Sequence, residues 1–182
     1  KSKAANLKIF TDYIRNVVRE TRILVFKGVN TTSMANRSST ELIVIHCTAT
    51  RPSMKDVGRT EIDAWHRHKG FFGVGYHHII KRDGVLEEGR HPDKVGAHAR
   101  GFNSISISIA MVGGVTEDDV NIPEDNFTDE QWVTLKALVE RLTELYPDAE
   151  VLGHRDLPKV SKDCPSFDVK QWWADEIIKV AP

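Results

Sequence analysis

The uninterrupted apolar run Leu42-Ile43-Val44-Ile45, closed by His46, constrains this chain more than any other stretch. A run that short, apolar throughout and bounded by polar residues reads as a buried strand, and it delivers the His46 ring rigidly at the edge of a sheet. The elements that follow alternate in type. Thr60 to Lys69 reads as a helix, His77 to Lys81 and Val85 to Glu88 as a hairpin across Arg82-Asp83-Gly84, and Ile105 to Val112 as another strand. Thr128 and Gln131 have the spacing of a capping box, opening a helix that carries Trp132, Leu135, Leu138, Val139 and Leu142 on one face until Pro147 stops it. A short strand, Glu150 to Leu152, and a final helix capped by Asp168 with Gln171 complete the order. An α/β fold follows, with a single mixed central sheet flanked by helices and strand ends presenting the site.

Ahead of this core, Leu7, Phe10, Ile14, Val17 and Val18 recur at helical spacing, which predicts an amphipathic helical extension over Ala4 to Arg22. The small, polar segment 28–39 reads as a linker, dividing the chain into 1–39, a basic helix and linker, and 40–182, a catalytic domain. At 182 residues and 40% hydrophobic, the chain has enough apolar material for one substantial core. The net charge of −1 hides a balance of +5 over residues 1–27 and −6 over the rest, which argues against nucleic-acid binding by the core. The basic helix is expected to pack on the domain; contact with a membrane is the alternative. No apolar stretch is long enough to span a bilayer.

Chemistry concentrates in Gly153-His154-Arg155-Asp156 and Lys162-Asp163-Cys164-Pro165, which offer an imidazole and a thiol from one loop. With His46 as third ligand, they make a tetrahedral zinc site with one position open, the catalytic arrangement. Spacing alone favours ordinary packing, since His-x9-Cys is not a tight metal signature. A Cys47–Cys164 disulfide is the competing use of the two cysteines, but alternation along the strand sends Cys47 to the face opposite His46.

The surroundings change that balance. Ile45-His46-Cys47-Thr48-Ala49-Thr50, Trp65-His66, Val74-Gly75-Tyr76-His77, Ile80-Lys81-Arg82-Asp83-Gly84, Val95-Gly96-Ala97-His98-Ala99 and Val112-Gly113-Gly114 occur in an order that resembles the zinc N-acetylmuramoyl-L-alanine amidases of the peptidoglycan-recognition-protein superfamily, and within it the T7-type phage endolysins. The resemblance runs from about Leu42 to Trp173. It implies zinc held by His46, His154 and Cys164, a catalytic tyrosine at Tyr76, a catalytic lysine at Lys162, and a substrate-cleft loop that offers His98 to the glycan or peptide. A glutamate base found in one branch of the superfamily has no counterpart here, because Ala110 stands at its position.

The implied activity is hydrolysis of the bond between N-acetylmuramic acid and L-alanine in peptidoglycan, by an endolysin kept in the host cytoplasm until lysis. A noncatalytic reading, as a peptidoglycan receptor or an inhibitor of a phage RNA polymerase, is the alternative that the resemblance admits. Cys164 favours catalysis, since recognition-only relatives commonly lack that ligand. Trp65 and the Trp172-Trp173 pair are expected in the core, and most of the remaining histidines are expected to be structural or exposed.

Overall fold

In the computed structural model, which describes residues 2–20 and 34–180, Leu42–Cys47 forms β1 at the interior of a five-stranded sheet. The other elements are α1 (Lys3–Glu20), α2 (Arg59–His68), β2 (His78–Ile80), β3 (Leu86–Glu88), β4 (Ser106–Met111), α3 (Asp129–Leu145), β5 (Glu150–Gly153), a 3-10 turn at His154–Asp156 and α4 (Val169–Val180). The sheet order is β3-β2-β4-β1-β5. β1 runs parallel to β4 and β5, β2 runs parallel to β4, and β3 pairs antiparallel with β2 as the expected hairpin. The sheet is therefore mixed, as the alternating sequence implies.

Alternation divides the sheet into two faces of different character. Ile43, Ile45 and Cys47 of β1, Ile107, Ile109 and Met111 of β4 and Val151 of β5 join one apolar cluster with Leu135, Leu138, Leu142, Val169 and the partly buried Trp172. This is the face that the long helices cover. Val44, His46, Ser106, Ser108, Ala110 and Leu152 occupy the alternate positions, where α2 and the loops around residues 74–77 and 95–103 lie. His46 is the penultimate residue of β1 and only 1% exposed, so its ring projects from a sheet face near the strand's end. The strand end thus presents His46, as expected of a buried strand: β1 has a neighbour on each side, and alternation decides where its side chains go.

Local signals set the boundaries of α3 and α4. The Thr128 hydroxyl accepts from the Gln131 amide at 3.2 Å while the Gln131 side chain accepts from the Thr128 amide at 3.0 Å, so the capping box forms as its spacing requires. Asp168 accepts from the Gln171 amide at 3.0 Å and caps α4. Trp172 and Trp173 pack on the core, whereas Ile177 is 53% exposed. Trp65 departs from expectation: α2 buries Ile62 and His66, four residues apart, and so turns Trp65 outward.

The amphipathic stripe of α1 is occupied. Ile14 and Val18 are buried in the main cluster with Phe10 packed against it, α1 lies along α3, and Lys3 pairs with Asp129 at 2.6 Å. No helix among the described residues is long and apolar enough to cross a membrane. The expected end of that helix at Arg22 and the start of the expected linker, 28–33, lie outside the described residues. Within 34–39, Asn36 bridges to Lys94, and Arg37 donates to the Pro92 carbonyl at 2.6 Å and to the Ser39 carbonyl at 2.8 Å.

Candidate metal centre and active site

Three separate pieces of chain bring His46, His154 and Cys164 together. β1 supplies His46; β5 ends at Gly153, and the 3-10 turn that starts there presents His154; the following loop returns Cys164. The Arg155 amide donates to the Cys164 carbonyl at 2.8 Å, which ties the turn to the loop. The Cys47 amide donates to Cys164 Sγ at 3.3 Å, so the backbone of β1 also fixes the sulfur. Ser166 Oγ donates to the Gly114 carbonyl at 2.7 Å and clamps the far side of the loop. Gly114, at φ +102°, has to be glycine: a Cβ there would sit 2.6 Å from Cys47 Sγ.

The three ligand atoms lie within 4.8 Å of one another, and this is the one such group of three among the described residues. Cys164 Sγ is 3.8 Å from His46 Nδ1. Zinc–nitrogen bonds of about 2.0–2.1 Å and zinc–sulfur bonds of about 2.3 Å set tetrahedrally require a nitrogen–sulfur edge of about 3.6 Å, so the donor set has the chemistry and close to the spacing of a zinc site. Both cysteines are free thiols. Cys47 packs in the apolar cluster on the other face, as alternation demands.

Electrostatics prepare the imidazoles as ligands. Burial, then the neighbouring His154, holds the His46 pKa well below the usual imidazole value. Burial, then the Lys162 ammonium, lowers His154. The neighbouring Cys47 thiol and burial push the Cys164 thiol up. Lys162 itself is exposed.

Tyr76 stands beside the cluster, its ring centroid 5.2 Å from that of His46 and 5.2 Å from that of His66. Burial raises its phenol pKa, which favours the protonated form, the one able to donate a hydrogen bond. Its loop is anchored from two sides. The Gly75 amide donates to His66 Nδ1 at 2.8 Å, and the Ala97 amide donates to the Gly75 carbonyl at 3.0 Å. The two loops touch closely enough that a Cβ on Gly75 would lie 2.1 Å from the Ala97 carbonyl oxygen.

His98, expected at the substrate, has both ring nitrogens engaged within the protein. Nδ1 lies 2.9 Å from His46 Nε2, and Nε2 lies 3.2 Å from Ser106 Oγ. Sequence reasoning left His66 and His77 among the structural histidines and missed how near the centre they stand. His77 accepts the Ser108 amide at Nδ1, 3.0 Å away, and meets the Lys94 carbonyl through Nε2 at 2.8 Å; burial lowers its pKa to about 3. The signal was present in Ser106-Ile107-Ser108-Ile109, whose alternation puts two hydroxyls on the His46 face.

The N-acetylmuramoyl-L-alanine amidase family model (Amidase_2) matches residues 36–167, which takes in every residue of this site. The chain belongs to that family. The amidase is 45% identical over 137 residues to the endolysin of Escherichia phage T7, a match covering 75% of this chain and 87% of the phage protein. It has the same identity and coverage with the endolysin of Klebsiella phage KP32. Among solved structures, the Ph2119 endolysin from a Thermus scotoductus bacteriophage superposes with a TM-score of 0.64 at 26% identity, covering 87% of this amidase and 94% of that chain. Drosophila peptidoglycan recognition protein SA shares the fold, with a TM-score of 0.64 at 20% identity over 81% of this chain and 86% of its own.

Proposed function

We propose that this amidase is a zinc-dependent phage endolysin that hydrolyses the amide between the lactyl group of N-acetylmuramic acid and L-alanine in peptidoglycan. The convergence of His46 Nδ1, His154 and Cys164 beside Tyr76 and Lys162 carries the reading. The family membership and the endolysin relatives support the substrate. His46, His154 and Cys164 would hold the metal, which as a Lewis acid supplies an activated water near neutral pH and polarises the amide carbonyl.

The chain's own groups do the rest. A secondary amide is a poor electrophile, and its addition product carries a developing negative charge on oxygen. The protonated Tyr76 phenol is suited to donate a hydrogen bond to the reacting atoms, and its ring is held beside those of His46 and His66. Lys162 lies on the same loop two residues before Cys164, close enough for its charge to lower the His154 pKa, and its ammonium would complement the oxyanion. Release of the protein from the host cytoplasm at lysis would bring it to the cell wall.

The test combines metal analysis with digestion of purified peptidoglycan. About one zinc per chain is expected, together with new L-alanine amino termini and intact glycan strands, all abolished by a chelator and restored by zinc. Full activity in a metal-free, chelator-treated preparation would refute the zinc assignment. Cleavage within the glycan would refute the amide assignment.

A further inference from the structure

The hydrogen bonds behind His46 form a chain whose direction is fixed at its far end. Ser106 Oγ lies 2.7 Å from the Phe102 carbonyl. A carbonyl only accepts, so the single hydroxyl proton points there and the Ser106 oxygen is left to accept. Its other partner is His98 Nε2 at 3.2 Å, which must therefore carry a proton. A neutral imidazole with Nε2–H has a lone pair at Nδ1. That lone pair faces His46 Nε2 at 2.9 Å, so His46 also carries its proton on Nε2, and its Nδ1 lone pair is the one directed at Cys164 Sγ and the metal position.

From this one-way chain we propose that His98 and Ser106 are positioning residues that lock His46 in the Nε2–H tautomer and so present Nδ1 to the metal. The inference deepens the zinc reading and rests on it for its purpose, though the hydrogen-bond assignment stands without a metal. The chain is built to be rigid. Ser106 is fully buried on β4, and the His98 and Ala99 amides both donate to Asn103 Oδ1 at 2.9 Å, which holds the His98 loop in register with the sheet. The two rings meet edge to face, with centroids 5.0 Å apart, so the contact is a directed hydrogen bond and not a stack. In a neutral imidazole one nitrogen donates and the other accepts, and the two distances give each ring one partner on either side of the shared hydrogen bond. A ligating histidine whose second nitrogen is held in this way binds metal more tightly because its orientation and tautomer are already set. Loss of such a partner typically weakens metal binding by about 10-fold to 100-fold.

Nitrogen-15 long-range correlation spectra of the metal-free protein read the tautomers directly, and competition with a chromophoric chelator measures affinity for zinc alone. The wild type is expected to carry Nε2–H on both His46 and His98. His98→Ala should convert His46 to a tautomer mixture and weaken zinc about 10-fold to 100-fold, with Ser106→Ala moving both readouts the same way by less. His98→Asn, whose side-chain carbonyl can accept where Nδ1 did, should restore the His46 tautomer and most of the affinity, which a purely space-filling role for His98 does not predict. A proton on His46 Nδ1 in the wild type would overturn the proposal. So would His98→Ala with the tautomer and the zinc affinity both unchanged. A wild type with the expected tautomers that fails to bind zinc would instead refute the zinc reading and leave the hydrogen-bond assignment supported.

Discussion

Replacing Ile14 by Ala tests whether α1 belongs to the folded body or waits for a membrane. Ile14 is 1% exposed, inside the cluster that holds Leu135, Leu138 and the sheet. The change deletes three carbons, worth about 0.8 kcal/mol each in lost transfer free energy, or roughly 2.4 kcal/mol. The cavity left against α3 adds to this, giving about 3–4 kcal/mol in all, inside the usual range for such truncations. Ile9, on the same helix and 57% exposed, provides the control, and Ile9→Ala should stay within about 0.5 kcal/mol. Urea titration followed by tryptophan fluorescence is the assay. With a slope of about 2 kcal/mol/M, the Ile14→Ala midpoint should fall by about 1.5–2 M at unchanged slope. Equal midpoints for the two variants, together with anionic-vesicle binding lost only in Ile14→Ala, would refute the packing argument and favour the membrane.

Cys164→Ala should abolish zinc retention on gel filtration while Cys47→Ala keeps it, because the Cys47 side chain belongs to the apolar cluster and the Cys47 amide that donates to the Cys164 sulfur survives the substitution; equal retention by both would remove Cys164 from the ligand set. Tyr76→Phe and Lys162→Ala should each retain zinc and lose on the order of tenfold to a thousandfold in turnover on peptidoglycan; wild-type rates in both would dismiss the roles given to them. The metal-free protein should lose stability on acidification. Burial lowers His77 to about 3, so between an unfolded value of about 6.5 and that folded value the unfolded chain binds the extra proton, and stability is present above this window and falls through it. Denaturation midpoints in chelator that stay level from neutral pH to about pH 4 would contradict this.

The elements with strong periodicity or a local chemical signature were legible in the sequence: the β1 run, the Thr128–Gln131 box, the Asp168 cap and the stripe on α1. The candidate trio could be assembled from the residues but was favoured only through resemblance, because His46 is remote from the other two and nothing in spacing alone says that β5 will be laid beside β1. What stayed hidden depends on which strands become neighbours. Ser106 and Ser108 are unremarkable until β4 pairs with β1 and sets them on the same face as His46. His98 was read as a substrate residue because a loop histidine gives no sign of which way its nitrogens point. Trp65 was read as core because the sequence shows that α2 is amphipathic without showing that Ile62 and His66 suffice to seat it.

The two faces of the sheet also determine how the enzyme can be extended. α1 lies on the side sealed by the long helices, and His46 looks out from the other. A binding module joined ahead of Lys3 would therefore start behind the sheet, with its tether having to travel round an edge before the module could reach the polymer being cut. A short tether would leave the His46 face unshaded and the module oriented away from it; a long flexible one would let both engage the same wall at once, raising the local concentration of enzyme at its substrate without changing a single contact around His46.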